Sequence, residues 1–420
     1  MTHLFVHYHL RPGGVTRVLQ QQTTEFLKRG IPFVTLSAGP ASSIGGQHQM
    51  VPELDYALQH VASVDDFKES IDAVVRNLPR PHIWHIHNPT LGCHPAMSSL
   101  VHELASKNER LLFHIHDFAE DAREKNLQSL RQGPPWFPCG ARIHYIVLTL
   151  RDREILCKAG LPQDNITILG NPITPQPLIA SASTHPQLLY PVRAITRKNM
   201  GEMLLLASLS PDNATFATTL SPASSRYQEE YRHWQQIAEQ LDLPITWAIA
   251  ENSGWPLEEH ISQSTHLLST STQEGFGMAF LESIAWQRPL IGRAIPHIQE
   301  NLARYGIAHP YLYDSLLIDS LEFSRQSLGT KTELIKRVRR DPSSAVIIQG
   351  ENFYEACSWI AAALSNDHQP LPLSLIDSFH PQHHAEAVYR IAQRLKDAPA
   401  SPLICADADC VHRSFDAIKT

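Results

Sequence analysis

Short apolar, β-branched runs alternate with amphipathic stretches along the N-terminal half of the chain, the pattern of a parallel sheet with helices on both faces. LFVHYHL (4–10) predicts a first strand and RPGG (11–14) the turn after it. From Val15 onward, Val15, Val18, Leu19, Phe26 and Leu27 share one face of a helix. Lys28 and Arg29 suit its C-terminus, and Gly30 the residue after it. IPFVTLSAG (31–39), HIWHIHN (82–88), LLFHIHDF (111–118), HYIVLTL (144–150) and NITILG (165–170) predict further strands. Ser63, three residues before Asp66, predicts the N-cap of a helix through about Leu78. Further helices are expected near 95–106 and up to Gly160.

The series restarts after NPITPQPLIASASTHPQ (171–187), whose prolines and small polar residues suit an exposed linker. YPVRAI, ATFATTLS, LPITWAIA, HLLSTS and PLIGR predict strands. Between them fall NMGEMLLLAS, a helix near 224–241, a short one near 256–264 and a helix beginning at Gly275. The last predicted helix is HAEAVYRIAQRLKDA (384–398). The pattern predicts an α/β protein of two doubly wound, Rossmann-like halves. Their bounds are an N-terminal domain 1–175, a linker 176–188, a C-terminal domain 189–383 and a closing helix and tail 384–420. Ligands of such sheets bind beyond the C-terminal ends of the strands, so two facing halves would share one cleft.

Composition narrows the class. The 420 residues are 43% apolar and 18% charged, an ordinary globular balance with room for two or three domains. The whole net charge of −7 falls beyond residue 180 and no basic run occurs, which speaks against nucleic acid or an anionic membrane as partner. The six cysteines are scattered, no secretory leader is evident and no segment reaches about 20 apolar residues. A cytoplasmic protein with free thiols is expected. Cys405, Cys410 and His412 make only half a zinc site, so no metal is expected there.

Four stretches carry candidate chemistry. Gly13 and Gly14 let the backbone approach a ligand at a helix N-terminus, although they do not form a dinucleotide fingerprint. Arg193, Arg197 and Lys198 cluster where a strand meets a helix, a cationic group suited to a pyrophosphate. In QEGFGMAFLE, Gly275, Phe276 and Gly277 separate Glu274 from Glu282. If a helix begins at Gly275, its amides are bare and the two carboxylates stand about 12 Å apart along the axis, too far to act on one bond. Finally, His85 with His87 and His114 with His116 each share a sheet face. Strands 29 residues apart need not be neighbours, so these histidines are expected to handle hydrogen bonds or protons rather than zinc.

In this order, Gly13-Gly14, His116-Asp117, Arg193 with Lys198, and the E-x7-E of EGFGMAFLE, the chain resembles the family 4 retaining glycosyltransferases. The resemblance implies the GT-B architecture, two facing Rossmann-like domains with a C-terminal helix crossing back to the first. It implies a hexosyltransferase using a UDP-, GDP- or ADP-hexose, with no tightly bound cofactor and no required metal. By the same resemblance Glu282 would bind the ribose, Glu274 and the amides around Phe276 and Gly277 the donor sugar, and Arg193 and Lys198 the pyrophosphate. Gly14 would approach the phosphate and His116 the sugar's reactive face. Asp117, Arg123, Lys125 and His87 are candidates for binding a small polar acceptor, an anionic one included. Where the family often has a Gly-x-Gly turn, this chain has TTLSPASS (218–225). A sugar-nucleotide epimerase and a non-catalytic sugar-nucleotide-binding protein are the rival readings.

Overall fold

In a computed structural model of the protein, the described residues are all of 1–420 except 12, 41–43, 56–62, 122, 178–182, 366–369 and 420. Residues 178–182 of the predicted linker therefore lie outside the described residues. The chain divides into two compact units, Met1–Pro172 with Ser378–Thr420, and Ile173–Asp377.

Among the described residues the first unit holds a seven-stranded sheet. Its strands are β1 (Thr2–Val6), β2 (Phe33–Ser37), β3 (Gln47–Met50), β4 (His82–His87), β5 (Arg110–Ile115), β6 (Ile143–Val147) and β7 (Ile166–Ile168). All pairs are parallel, in the order β3-β2-β1-β4-β5-β6-β7. The strands alternate strictly. Leu4, Val6, Trp84, Ile86, Leu111 and Phe113 pack with Phe67, Ile71, Met97 and Leu100 of the helices Val64–Val75 and Pro95–Ser106. Phe5, Ile83, Leu112 and Ile146 pack on the other face with Leu19 and Phe26 of the helix Gly14–Lys28 and Val388, Ile391 and Ala392 of the helix Pro381–Asp397. The closing helix thus returns to the first unit, as the resemblance implies. The period of two puts His3, His85, His87 and His114 on the face that these two helices cover.

The second unit has strands β8 (Gln187–Arg193), β9 (Thr215–Leu220), β10 (Ile245–Thr246), β11 (His266–Ser269), β12 (Leu290–Arg293) and β13 (Tyr311–Tyr313). They form a parallel sheet in the order β10-β9-β8-β11-β12-β13. The helix Met200–Leu209 is buried on every side, which explains its unbroken MLLL run.

Three differences from expectation have physical causes. LPITWAIA pairs only over Ile245–Thr246, and the chain then turns through Ala248 at φ 51° into the helix Ile249–Ser253. An antiparallel sheet of Ser315–Ile318, Leu321–Glu322, Ala345–Gln349 and Asn352–Glu355 was not foreseen, because its strands are short, bury only four of their 15 residues and lack a long apolar run. A further helix, Ala408–Lys419, follows the predicted last one and docks Val411 and Phe415 into the first unit's core. No helix among the described residues is long and apolar enough to cross a membrane.

Candidate functional site

In the second unit, β8 and β11 are parallel neighbours, so the loops after their C-terminal ends meet. After β8 the chain makes a single turn over Thr196–Lys198 and enters the next helix through Asn199 at φ 51°. The loop after β11 grips this turn. The Thr272 amide donates to the Arg197 carbonyl at 2.9 Å, and Thr270 Oγ1 and the Tyr190 hydroxyl both donate to the Lys198 carbonyl at 3.0 Å. These bonds aim the Lys198 ammonium at the Glu274 carboxylate, with which it pairs. Arg197 Nη1 lies 3.3 Å from the other carboxylate oxygen and 3.1 Å from the Gln273 carbonyl, to which it donates. His297 Nε2 donates to the Glu274 carbonyl at 2.9 Å. Glu274 is only 15% exposed in its side chain. Burial alone would push its carboxyl up, but Lys198 and Arg197 outweigh burial and hold it below the usual range.

The helix carrying Glu282 does not begin at Gly275. It spans Met278–Ala285, with Gly277 before it at φ 73°. That left-handed turn is open to glycine and strained for other residues, and a Cβ there would lie 2.9 Å from Phe280 and 3.0 Å from Ile298. Glu274 consequently stands in the loop, and the helical spacing between the two glutamates does not apply. Phe276 is buried, and Glu282 sits one turn into the helix at 8% exposure. Gly275 lies in the loop between them. Arg193, at the end of β8, donates from Nη1 to the Ser221 carbonyl at 2.9 Å and so ties down the TTLSPASS loop.

A buried network that sequence reasoning missed supports this loop pair. Arg293 grips Glu202 with Nε at 2.8 Å and Nη2 at 2.9 Å, Tyr313 donates to Glu202 at 2.7 Å, and Asn199 Nδ2 donates to it at 2.7 Å. Its signal was a lone glutamate inside the apolar run GEMLLL, a residue type rarely buried without a partner.

In the first unit, Gly13 caps the helix Gly14–Lys28 in an extended conformation. A Cβ on Gly14 would meet nothing within 4 Å. Asn88, at φ 54°, follows β4 and accepts on Oδ1 from the His116 amide at 2.7 Å and the Asp117 amide at 3.1 Å. This pins the end of β5. The adjacency that the sequence left open is present: β4 and β5 are neighbours, with His87 opposite His114. His87 is fully buried, and its Nδ1 is hydrogen bonded to His116 Nε2 at 3.0 Å. Burial lowers the His116 pKa to about 4, more than Asp117 and Asn171 raise it. Asp117 pairs with Arg123 at 2.8 Å, both partly exposed, and Lys125 is exposed on the helix Glu124–Arg131.

No family model matches the chain. Over 339 residues it is 26% identical to the mannosylglucosyl-3-phosphoglycerate synthase of Petrotoga mobilis, a match covering 71% of this chain and 66%, just under two thirds, of that protein. It is similar in structure to the sucrose-phosphate synthase from Thermosynechococcus elongatus, with a TM-score of 0.62 over 94% of this chain and 98% of the other at 13% identity. The fold is that of the GT-B glycosyltransferases. Anabaena HepE, solved with UDP and glucose, shares this GT-B fold at a TM-score of 0.55 and 11% identity, over 94% of this chain and 99% of that one. The two parallel sheets and the returning closing helix are the GT-B features expected from the sequence.

Proposed function

We propose that the chain is a retaining glycosyltransferase that moves a hexosyl group from a nucleotide-sugar to a small polar, anionic acceptor. The observation that carries this reading is the cluster of Lys198 and Arg197 on Glu274, at the strand ends and just before the glycine-led helix that bears Glu282. Two cations beside a carboxylate suit a sugar diphosphate: of these Lys198, joined by Arg193 from the end of β8, neutralises the pyrophosphate, Glu274 and the amides of Gly275, Phe276 and Gly277 hold the sugar, and Glu282 accepts from the ribose hydroxyls. Gly14, with open space around its Cα, lets a phosphate approach the N-terminus of its helix. His116 is assigned to the sugar and Asp117, Arg123 and Lys125 to the acceptor. A relative whose name denotes a phosphoglycerate compound supports an acceptor with an anionic group.

In the reaction the bond from the anomeric carbon to the diphosphate oxygen breaks. The acceptor oxygen bonds to that carbon on the same face, and its proton passes to the departing phosphate. Cations placed where charge develops supply the main stabilisation, and no carboxylate nucleophile is needed. Thermal-shift titration with UDP, GDP, ADP and their hexoses tests the donor half. One nucleotide should stabilise the native chain and fail to stabilise Lys198→Ala. No response to any of them at millimolar concentration contradicts the assignment.

A further inference from the structure

The first unit contains a buried set of histidines whose hydrogen bonds fit together in only one direction. His384, on the closing helix, meets the Gly170 carbonyl through Nδ1 at 3.0 Å. A carbonyl only accepts, so Nδ1 carries the proton. Nε2 of the same ring lies 2.8 Å from Gln22 Nε2, and with the ring neutral it must accept. That fixes the Gln22 amide nitrogen as the donor. Its second proton points at His114 Nδ1, 3.1 Å away. His114 therefore accepts on Nδ1 and carries its own proton on Nε2.

The other end is equally constrained. The Asn171 side chain lies close to His116. The buried atoms still lacking partners on these two residues are His116 Nδ1 and Asn171 Oδ1, a matching pair when the His116 proton is on Nδ1. His116 Nε2 then accepts from His87 Nδ1 across their 3.0 Å bond. Besides Gln22 Oε1, two unpartnered buried atoms remain in this set, an N–H on His114 Nε2 and a lone pair on His87 Nε2. They are complementary, and they belong to rings that face each other across neighbouring strands with centroids 4.8 Å apart. Reversing any member would set two protons or two lone pairs against each other in a buried place.

We infer that Gln22 and His384 are positioning residues that act through His114 and His87 to fix the His116 proton on Nδ1. His116, at 8% exposure, is the most accessible of these four histidines, where a ligand hydroxyl can accept that proton. A metal ion is the rival use of the same nitrogens. The candidate ligand atoms of His87, His114 and His116 spread to 4.8 Å, whereas nitrogens on one tetrahedral zinc sit about 3.4 Å apart. The 3.0 Å contact is also an ordinary hydrogen-bond length. The consequence for turnover rests on the transferase reading; the tautomer assignment does not.

The groups facing His116 are His7 after β1, His87 of β4, His114 and Asp117 of β5 and its end, and His384 of the closing helix. Imidazole 15N shifts of the labelled native chain should place the proton on Nδ1 of His116, His87 and His384 and on Nε2 of His114, all neutral at pH 7. Gln22→Glu keeps the shape but replaces a donor with an acceptor. It should move the His114 proton to Nδ1, add a histidine titration to the acid limb of the kcat profile and lower kcat about tenfold, with nucleotide affinity unchanged. Gln22→Leu should lower kcat similarly without the new titration. A His116 proton on Nε2, an unmoved His114 proton in Gln22→Glu, or one equivalent of Zn2+ taken up with joint shifts of His87, His114 and His116 overturns the relay. Absence of nucleotide binding by the native chain sinks the transferase reading instead and leaves the tautomer result standing.

Discussion

Lys198 and Glu274 are each mostly buried and each is the other's main partner, so neither can be removed alone without leaving a charge behind. Lys198→Ala should lower kcat by about 10²- to 10³-fold, the scale of one lost electrostatic stabiliser, and let the Glu274 pKa rise. Steady-state kinetics of transfer check this. Glu282→Ala should instead raise the donor KM, at a cost of roughly 1–3 kcal/mol, and leave kcat nearly intact, because the ribose contact is the same before and during bond breaking. These residues were legible in the sequence because glycines, charges and spacing mark them locally. Tyr190, His297 and Asn88 were not. Tyr190 and Asn88 act through strand register, and His297 through the docking of a later helix onto the Glu274 loop.

The elements were largely legible wherever apolar periodicity was long. Ser63 does cap its helix by accepting from the Asp66 amide at 3.1 Å, and β2 and the strands from β4 to β9 fall within two or three residues of their predicted bounds, whereas β1 ends four residues before its predicted end and the exposed, polar β3 was not predicted. The start of the Glu282 helix was misplaced because EGFG contains two glycines and the pattern does not say which one turns left-handed. Gly277→Ala tests that turn. It should cost about 1–2 kcal/mol from the backbone alone, plus the contact with Phe280 and Ile298, measured as a lower denaturation midpoint. Glu202→Ala, which leaves the buried Arg293 with Glu322 as its remaining carboxylate partner, should cost less than the roughly 3–5 kcal/mol of a fully unpaired buried charge on the same assay and loosen the turn that carries Lys198.

At the scale of the whole molecule, histidines set the response to acid. Burial depresses His3, His116 and His144 to about 4, and His7 and His384 to about 3, all in the first unit. Between those values and about 6.5 the unfolded chain binds more protons than the folded one. Stability therefore rises with pH across that window and is lost as pH falls through it, at about 1.4 kcal/mol per pH unit per group. Glu120, raised by burial to about 7, works the other way between about 4.5 and 7, but it is one group against five. The first unit should accordingly unfold on acidification before the second, with proton uptake, as followed by the fluorescence of Trp84 and Trp136 and by calorimetry. The division into two Rossmann-like halves was readable from the repeating strand–helix pattern. The histidine face was not, because it depends on β4 and β5 lying side by side. The most direct test of the account is proton NMR of the native chain with a nucleotide hexose and a phosphorylated sugar acceptor. The account predicts nucleoside diphosphate released only with acceptor present, and a glycoside whose anomeric coupling matches the donor's. Conversion of the sugar-nucleotide without acceptor, or a product of inverted configuration, would contradict it.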